Sequence, residues 1–191
     1  MNTKPDTSLP LINTLIVEND HRNFEQEVRR ALATYGRELT SNLKVIVDKP
    51  HSFAMKQLLE GAGEGFTSIV VTNNACPEYL EDVWALGPHA LLTGGYSAEE
   101  IAAALHSVLS GERYRNVPHQ QSKLAKREQE VLRFCATGLS NKQIAARMTL
   151  SERTVKNYLT TIYTKLGLKN REQATLYYLG IWHWLPEPYR N

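Results

Sequence analysis

The sequence predicts two folds in one chain: an α/β domain built on a parallel sheet, then a small all-α domain. Three observations carry this. Short apolar runs alternate with amphipathic helical stretches from Leu11 to Ser110, the pattern of strand–helix units joined by right-handed crossovers. From Leu124 to Gly180 the strand pattern stops and four short helical periodicities follow, parted by turn residues. Charge is also divided. Lys123 to Arg171 holds eleven Lys and Arg against three acids, an excess of +8, while the whole 191-residue chain carries +2 and the remainder therefore −6. A basic module joined to an acidic one fits a nucleic-acid reader with a regulatory partner domain.

Residues 1–10, polar with two prolines, read as a flexible leader. Residues 11–111 read as the α/β domain. Leu11–Val17 is a buried-type strand, followed by a helix over His21–Tyr35 with Phe24, Val28, Ala31 and Leu32 inward. Leu43–Val47 is the second strand, and residues 51–60 a helix. Ser68–Val71 is the third strand, and Pro77–Leu86 a helix with Pro77 in its first turn. Ala90–Leu92 is the fourth strand, and the Ser97–Glu100 capping box opens a helix to Ser110. Residues 112–122, with Pro118 and no apolar periodicity, read as the linker, and 123–191 as the helical domain.

Ligand and phosphoryl chemistry in parallel sheets sits beyond the carboxyl ends of the strands. Those ends carry Glu18, Asp20, Asp48, Thr72 and Thr93. A metal site there is the sharp reading. The plainer one, preferred, is that strand ends are wet and polar. Gly94-Gly95 reads as a turn, since no phosphate-cradle pattern surrounds it.

In the helical domain, Val155, Leu159, Ile162 and Leu166 form one stripe of a helix over Glu152–Leu166. Its opposite face, Arg153, Lys156, Asn157, Thr160 and Thr164, has no carboxylate after Glu152 and suits a major groove. The preceding helix opens at the Ser140–Gln143 capping box. Thr149-Leu150-Ser151 is the turn, and Ser151 can cap the next helix. Two short amphipathic helices so joined make a helix-turn-helix. A first helix, Lys126–Thr137, buries Val131, Leu132 and Cys135. A fourth, Arg171–Ile181, presents Ala174, Tyr177, Tyr178 and Ile181 on one face. Trp182, Trp184 and Tyr189 read as aromatics packed on the domain's own core.

Residues 124–180 resemble the LuxR/FixJ/NarL-type DNA-binding domain. The match lies in Arg127-Glu128-x-Glu130-Val131-Leu132, Gly138-Leu139-Ser140-Asn141-Lys142-x-Ile144-Ala145, Leu150-Ser151-x-x-Thr154-Val155-Lys156-Asn157 and Lys165-Leu166-Gly167-Leu168-x-Asn170-Arg171. Departures are Ala125-Lys126 for the usual Thr-Pro, which removes a side-chain N-cap, and Tyr158 for the usual His. The resemblance implies that Lys156, Asn157 and Thr160 read base edges and that Lys142, Arg153, Thr154 and Lys165 hold phosphates. It also implies that the face of Ala174, Tyr177, Tyr178 and Ile181 dimerises. Residues 11–115 resemble a response-regulator receiver, most closely through Ala85 to Leu92 and Ser97 to Tyr114. The position of the receiver's phosphate-neutralising lysine is Thr93, and no Lys occurs between 57 and 122. Two registers stay open. In one, Asp48 is the phosphoryl acceptor and Thr72 the switch residue; in the other, Thr72 replaces the acceptor.

Two cysteines give no disulfide framework, six scattered histidines no metal spacing, and no apolar run reaches the roughly 18 residues of a membrane span. No nucleophile–base pair can be placed. The expectation is a cytoplasmic, non-enzymatic transcription regulator of α/β plus all-α architecture. It needs no cofactor and works without phosphorylation. Its partners are double-stranded DNA, a second copy of itself, and a regulatory protein or small ligand at the front domain. The alternatives are a regulator activated by phosphorylation of Asp48, and an adaptor that binds another regulator.

Overall fold

The computed structural model describes residue 30 and residues 43–49, 52–61, 65–94, 97–118 and 120–182. The expected strand 11–17, the helix 21–35, and Glu18, Asp20, Trp184 and Tyr189 lie outside the described residues. Contacts divide the chain into two compact units: Met1–Asn73 with Trp84–Val117, and Asn74–Val83 with Pro118–Asn191.

In the first unit the described strands are β1 (Leu43–Val47), β2 (Thr67–Thr72), β3 (Ala90–Thr93) and β4 (Tyr114–Asn116). They lie in the order β1-β2-β3-β4, all parallel. Helix α1 (Phe53–Glu60) follows β1, α2 (Pro77–Ala85) follows β2, and α3 (Ala98–Leu109) follows β3. Every residue of β1 is buried, as expected of a sheet covered on both faces. Alternation then separates the faces. Leu43, Val45, Val47, Ile69, Val71, Ala90 and Leu92 share one core with Ile101, Ala104 and Leu105 of α3. The expected capping box at Ser97 is present: its hydroxyl accepts from the Glu100 amide, and the Glu100 carboxylate accepts from the Ser97 amide.

The segment read as linker behaves differently at its start, because residues 114–116 form β4 and pair with β3. A three-residue edge strand carries too little periodicity to be seen in sequence. It is held from outside the strand pattern. The Arg113 guanidinium lies 3.7 Å from the Trp84 ring centroid and donates to the Pro88 and Trp84 carbonyls, while Tyr114 packs against the core.

In the second unit, α4 (Lys126–Ala136), α5 (Asn141–Met148), α6 (Glu152–Leu166) and α7 (Arg171–Tyr178) follow the four expected helices. Their core is Val131, Leu132, Cys135, Ile144, Val155, Ile162 and Ala174. Each fully buried aliphatic chain there contributes roughly 1.5–3 kcal/mol. The tight turn is set by Thr149, left-handed at φ 56, and by Ser151, whose hydroxyl accepts the Thr154 amide at 3.0 Å. Ala125 offers no side-chain cap to α4, yet Glu128 still accepts the Ala125 amide at 2.7 Å, so half of the capping box survives.

The second unit also contains Asn74–Val83, the first two turns of α2 and the residues before them. Pro77 starts this helix, and Glu78, Tyr79 and Asp82 are buried.

Candidate nucleic-acid interface

Helix α6 presents the surface that the sequence predicts. Arg153, Lys156, Asn157, Thr160 and Thr164 are exposed, while Val155, Leu159 and Ile162 are buried beneath them. The hydroxyls of Thr160, Thr161 and Thr164 each donate to the carbonyl four residues back, at 3.0–3.1 Å. Thr160 therefore shows outward a methyl group and an acceptor lone pair, with its proton already committed. Lys142 and Arg147 are exposed on α5, and the Thr154 hydroxyl is shared with Ser151 at 2.8 Å.

Lys165 is held differently. Its ammonium contacts both oxygens of the buried Glu128, at 2.7 and 2.8 Å, tying α6 to α4. Burial acts to raise the Glu128 pKa. The Lys165 hydrogen bond, the Ala125 amide and the Lys165 charge outweigh it, and the pKa lies below the ordinary value. Lys165 thus bridges α6 to α4 while its side chain stays more than a third exposed, a pairing that its position on the helix surface does not disclose. Arg171, at the start of α7, reaches the Leu139 carbonyl and the Asn141 side chain and fixes the entry to α5.

The face of α7 expected to dimerise is covered within its own unit. Ala174, Tyr177 and Tyr178 are buried, and Ile181 is half-buried. The Tyr177 hydroxyl donates to Glu78 at 3.1 Å and the Tyr178 hydroxyl to Asp82 at 2.5 Å. Tyr178 also meets Tyr79 edge-on, centroids 5.5 Å apart. Glu78 further accepts from the Cys76 thiol at 3.2 Å and from the Ser122 hydroxyl. Asp82 accepts both arms of Arg133. Burial, with these neighbouring charges, pushes both tyrosine pKa values far above ordinary, so the two phenols stay protonated donors. The sequence shows an apolar-and-tyrosine stripe on α7 and acids at i and i+4 on α2, but nothing in either names the other.

At the strand ends, Asp48 follows β1, and its Oδ2 accepts the Thr72 hydroxyl at 2.8 Å, with the Ala54 amide on Oδ1 at 2.9 Å. Asp48 is 2 % exposed. Thr72 pairs with Thr93 in register, and the Thr93 hydroxyl points to the Asn116 carbonyl at 3.5 Å. The structure thus brings Asp48, Thr72 and Thr93 to the carboxyl ends of three neighbouring strands. Among the described residues no group of three His, Cys, Asp or Glu is arranged to hold a metal ion. No helix among them is long and apolar enough to cross a membrane.

A parallel α/β unit with a helix-turn-helix unit beside it in sequence defines a class: regulators that pair a receiver-like domain with a DNA-binding domain. The comparisons agree. Residues 122–178 match the model of the bacterial regulatory proteins of the luxR family. The chain is 30% identical to the transcriptional regulatory protein DesR of Bacillus subtilis over 134 residues, 67% of each chain. It is 34% identical to the uncharacterized transcriptional regulatory protein YvfU of the same organism over 112 residues. It spans only 56% of that relative's length. RcsB from Salmonella enterica serovar Typhimurium, solved bound to promoter rprA, matches 87% of this chain and 98% of its own at TM-score 0.51 and 20% identity, a likeness of fold. The protein belongs to the luxR family of bacterial regulatory proteins.

Proposed function

We propose that the protein is a sequence-specific transcription regulator that binds double-stranded DNA through α6 in the major groove. The observation that carries this reading is the exposed face of Arg153, Lys156, Asn157 and Thr160, which has no carboxylate after Glu152 and is backed by a buried stripe. Lys156 and Asn157 have the donors to read guanine and adenine edges, and Thr160 offers a methyl group suited to thymine. Lys142, Arg153 and Thr154 supply phosphate contacts, with a salt-dependent share of affinity. Lys165 contributes through its pair with Glu128. The protein acts in the cytoplasm, on a two-fold site and as a dimer. A dimer through the face of Ala174, Tyr177 and Tyr178 requires Asn74–Val83 to leave the two tyrosines.

Control without phosphorylation is the better-supported mode, since Asp48 is buried with donors on both oxygens and Thr93 stands where a lysine is expected. The pairing of Asp48 with Thr72 favours the register in which Asp48 is the acceptor, and so favours a second reading, activation by phosphorylation. The test of the main proposal is selection from random duplexes by the full chain. One motif is expected to be enriched, and Lys156→Ala with Asn157→Ala should lose it while the protein stays folded. Enrichment of no sequence would instead favour an adaptor that binds another regulator.

A further inference from the structure

On the face of the sheet turned away from α3, three neighbouring strands bring one row of polar side chains together. Lys44 pairs with Ser68 in register, and the His89 amide donates to the Ser68 carbonyl at 2.8 Å just before β3. His89 Nδ1 in turn accepts the Ser68 amide at 3.1 Å, so the neutral ring carries its proton on Nε2. These three line a cavity of about 210 Å³, whose walls include Ile46, Leu58 and Phe66. It lies at the opposite end of the strands from Asp48, about 13 Å along β1 at roughly 3.3 Å per residue.

Lys44 is the unusual member. It is 8 % exposed, and its ammonium sits 5.8 Å from the Phe66 ring centroid. Among the described residues it has no carboxylate partner within 4 Å, and no Asp or Glu is among the described residues that line the cavity. An ammonium buried without a counter-charge is costly. A cation–π contact offsets only part of that. The lysine ammonium and the imidazole Nε2–H are donors, which suits an anion, while the Ser68 hydroxyl lies 3.4 Å from His89 Nδ1. The apolar wall suits a hydrocarbon tail, and the volume, below the roughly 300 Å³ of drug-sized pockets, limits it to a short one.

We propose that this cavity binds a small organic monocarboxylate, its carboxylate on Lys44 and its tail against Phe66, Ile46 and Leu58. Such a ligand bridges the starts of β1, β2 and the β3 approach, and stabilises the folded unit by mass action. The inference does not depend on the DNA-binding reading. The experiment uses the full chain with butyrate, hexanoate and benzoate, their neutral amides, and inorganic phosphate, followed by thermal melts and calorimetry. A saturable rise in Tm with at least one carboxylate is expected, with no effect of its amide and little of phosphate. Lys44→Met, which leaves an apolar chain of similar length, should weaken that binding at least about tenfold, and Ser68→Ala should weaken it less. Lys44→Gln serves the same purpose if the methionine variant melts early. The proposal is overturned by no binding of any carboxylate, by equal binding of acid and amide, by tighter binding of phosphate, or by carboxylate affinity unchanged in both Lys44 variants.

Discussion

The Asp48 carboxylate accepts the Thr72 hydroxyl at 2.8 Å across two neighbouring parallel strands, and Asp48 is 2 % exposed. This contact ties together the carboxyl ends of β1 and β2. Thr72→Val removes one donor from a buried carboxylate, and a loss of about 1–3 kcal/mol is expected in urea unfolding. Treatment with a small phosphodonor and Mg²⁺ should leave the mass unchanged. A mass gain that disappears in Asp48→Asn would move control to phosphorylation.

Lys142 is exposed, and the proposed function gives it a phosphate contact. Lys142→Ala should weaken binding to every duplex to a similar degree and lower the slope of log K against log salt by about 1. Thr160→Ala should instead change the preferred sequence, because it removes a methyl and an acceptor from the exposed face of α6 proposed to enter the groove. Titrations at several salt concentrations separate the two, and a Lys142→Ala variant with altered motif but unaltered slope would reverse the assignment.

Asp82 binds both Arg133 and the Tyr178 hydroxyl. Asp82→Ala leaves a half-exposed guanidinium and a buried phenol without it, and a cost of about 2 kcal/mol is expected, less than for a fully buried pair. Tyr178→Phe should cost about 1 kcal/mol. A variant as stable as the parent by denaturant melt would show that the Asn74–Val83 segment contributes little.

Gly180 is left-handed at φ 75, and a Cβ there would lie 2.5 Å from Asn74 Oδ1. Gly180→Ala therefore combines backbone strain with a clash, and a loss of more than about 1 kcal/mol is expected. The loss should shrink in an Asn74→Gly background, since much of the coupling is steric. An equal loss in both backgrounds would leave only the backbone term.

Glu128 has a depressed pKa in the folded state, so folding favours its charged form. Its contribution to stability is fully present above the unfolded value of about 4.3 and is lost as pH falls through the lower, folded value. In Lys165→Met the partner that holds the pKa down is gone while burial remains, so this acid loss should flatten or reverse. Urea midpoints between pH 3 and 7 test this; parallel curves for parent and variant would refute it.

Much of the second unit was legible from neighbours close in sequence. Ser140 with Gln143, Ser151 before Thr154, and glycines 138 and 167 mark helix ends within a few residues of themselves. The stripe of Val155, Leu159 and Ile162 marks the buried side of α6 by its spacing alone. The exposed side follows by subtraction, since a helix has only one other face. β4 was missed because three edge residues have no period.

What the sequence determined by itself is therefore the set of elements and the chemistry of the α6 surface, which arise from contacts a few residues apart. The tertiary structure alone decided that Tyr177 and Tyr178 serve Glu78 and Asp82, 99 and 96 residues away. It also decided that Lys165 pairs with Glu128, that Asp48 faces Thr72, and that Lys44 is buried beside a cavity. The physical reason is that burial and ion pairing depend on what a distant segment brings, and helical or strand period carries no record of that partner.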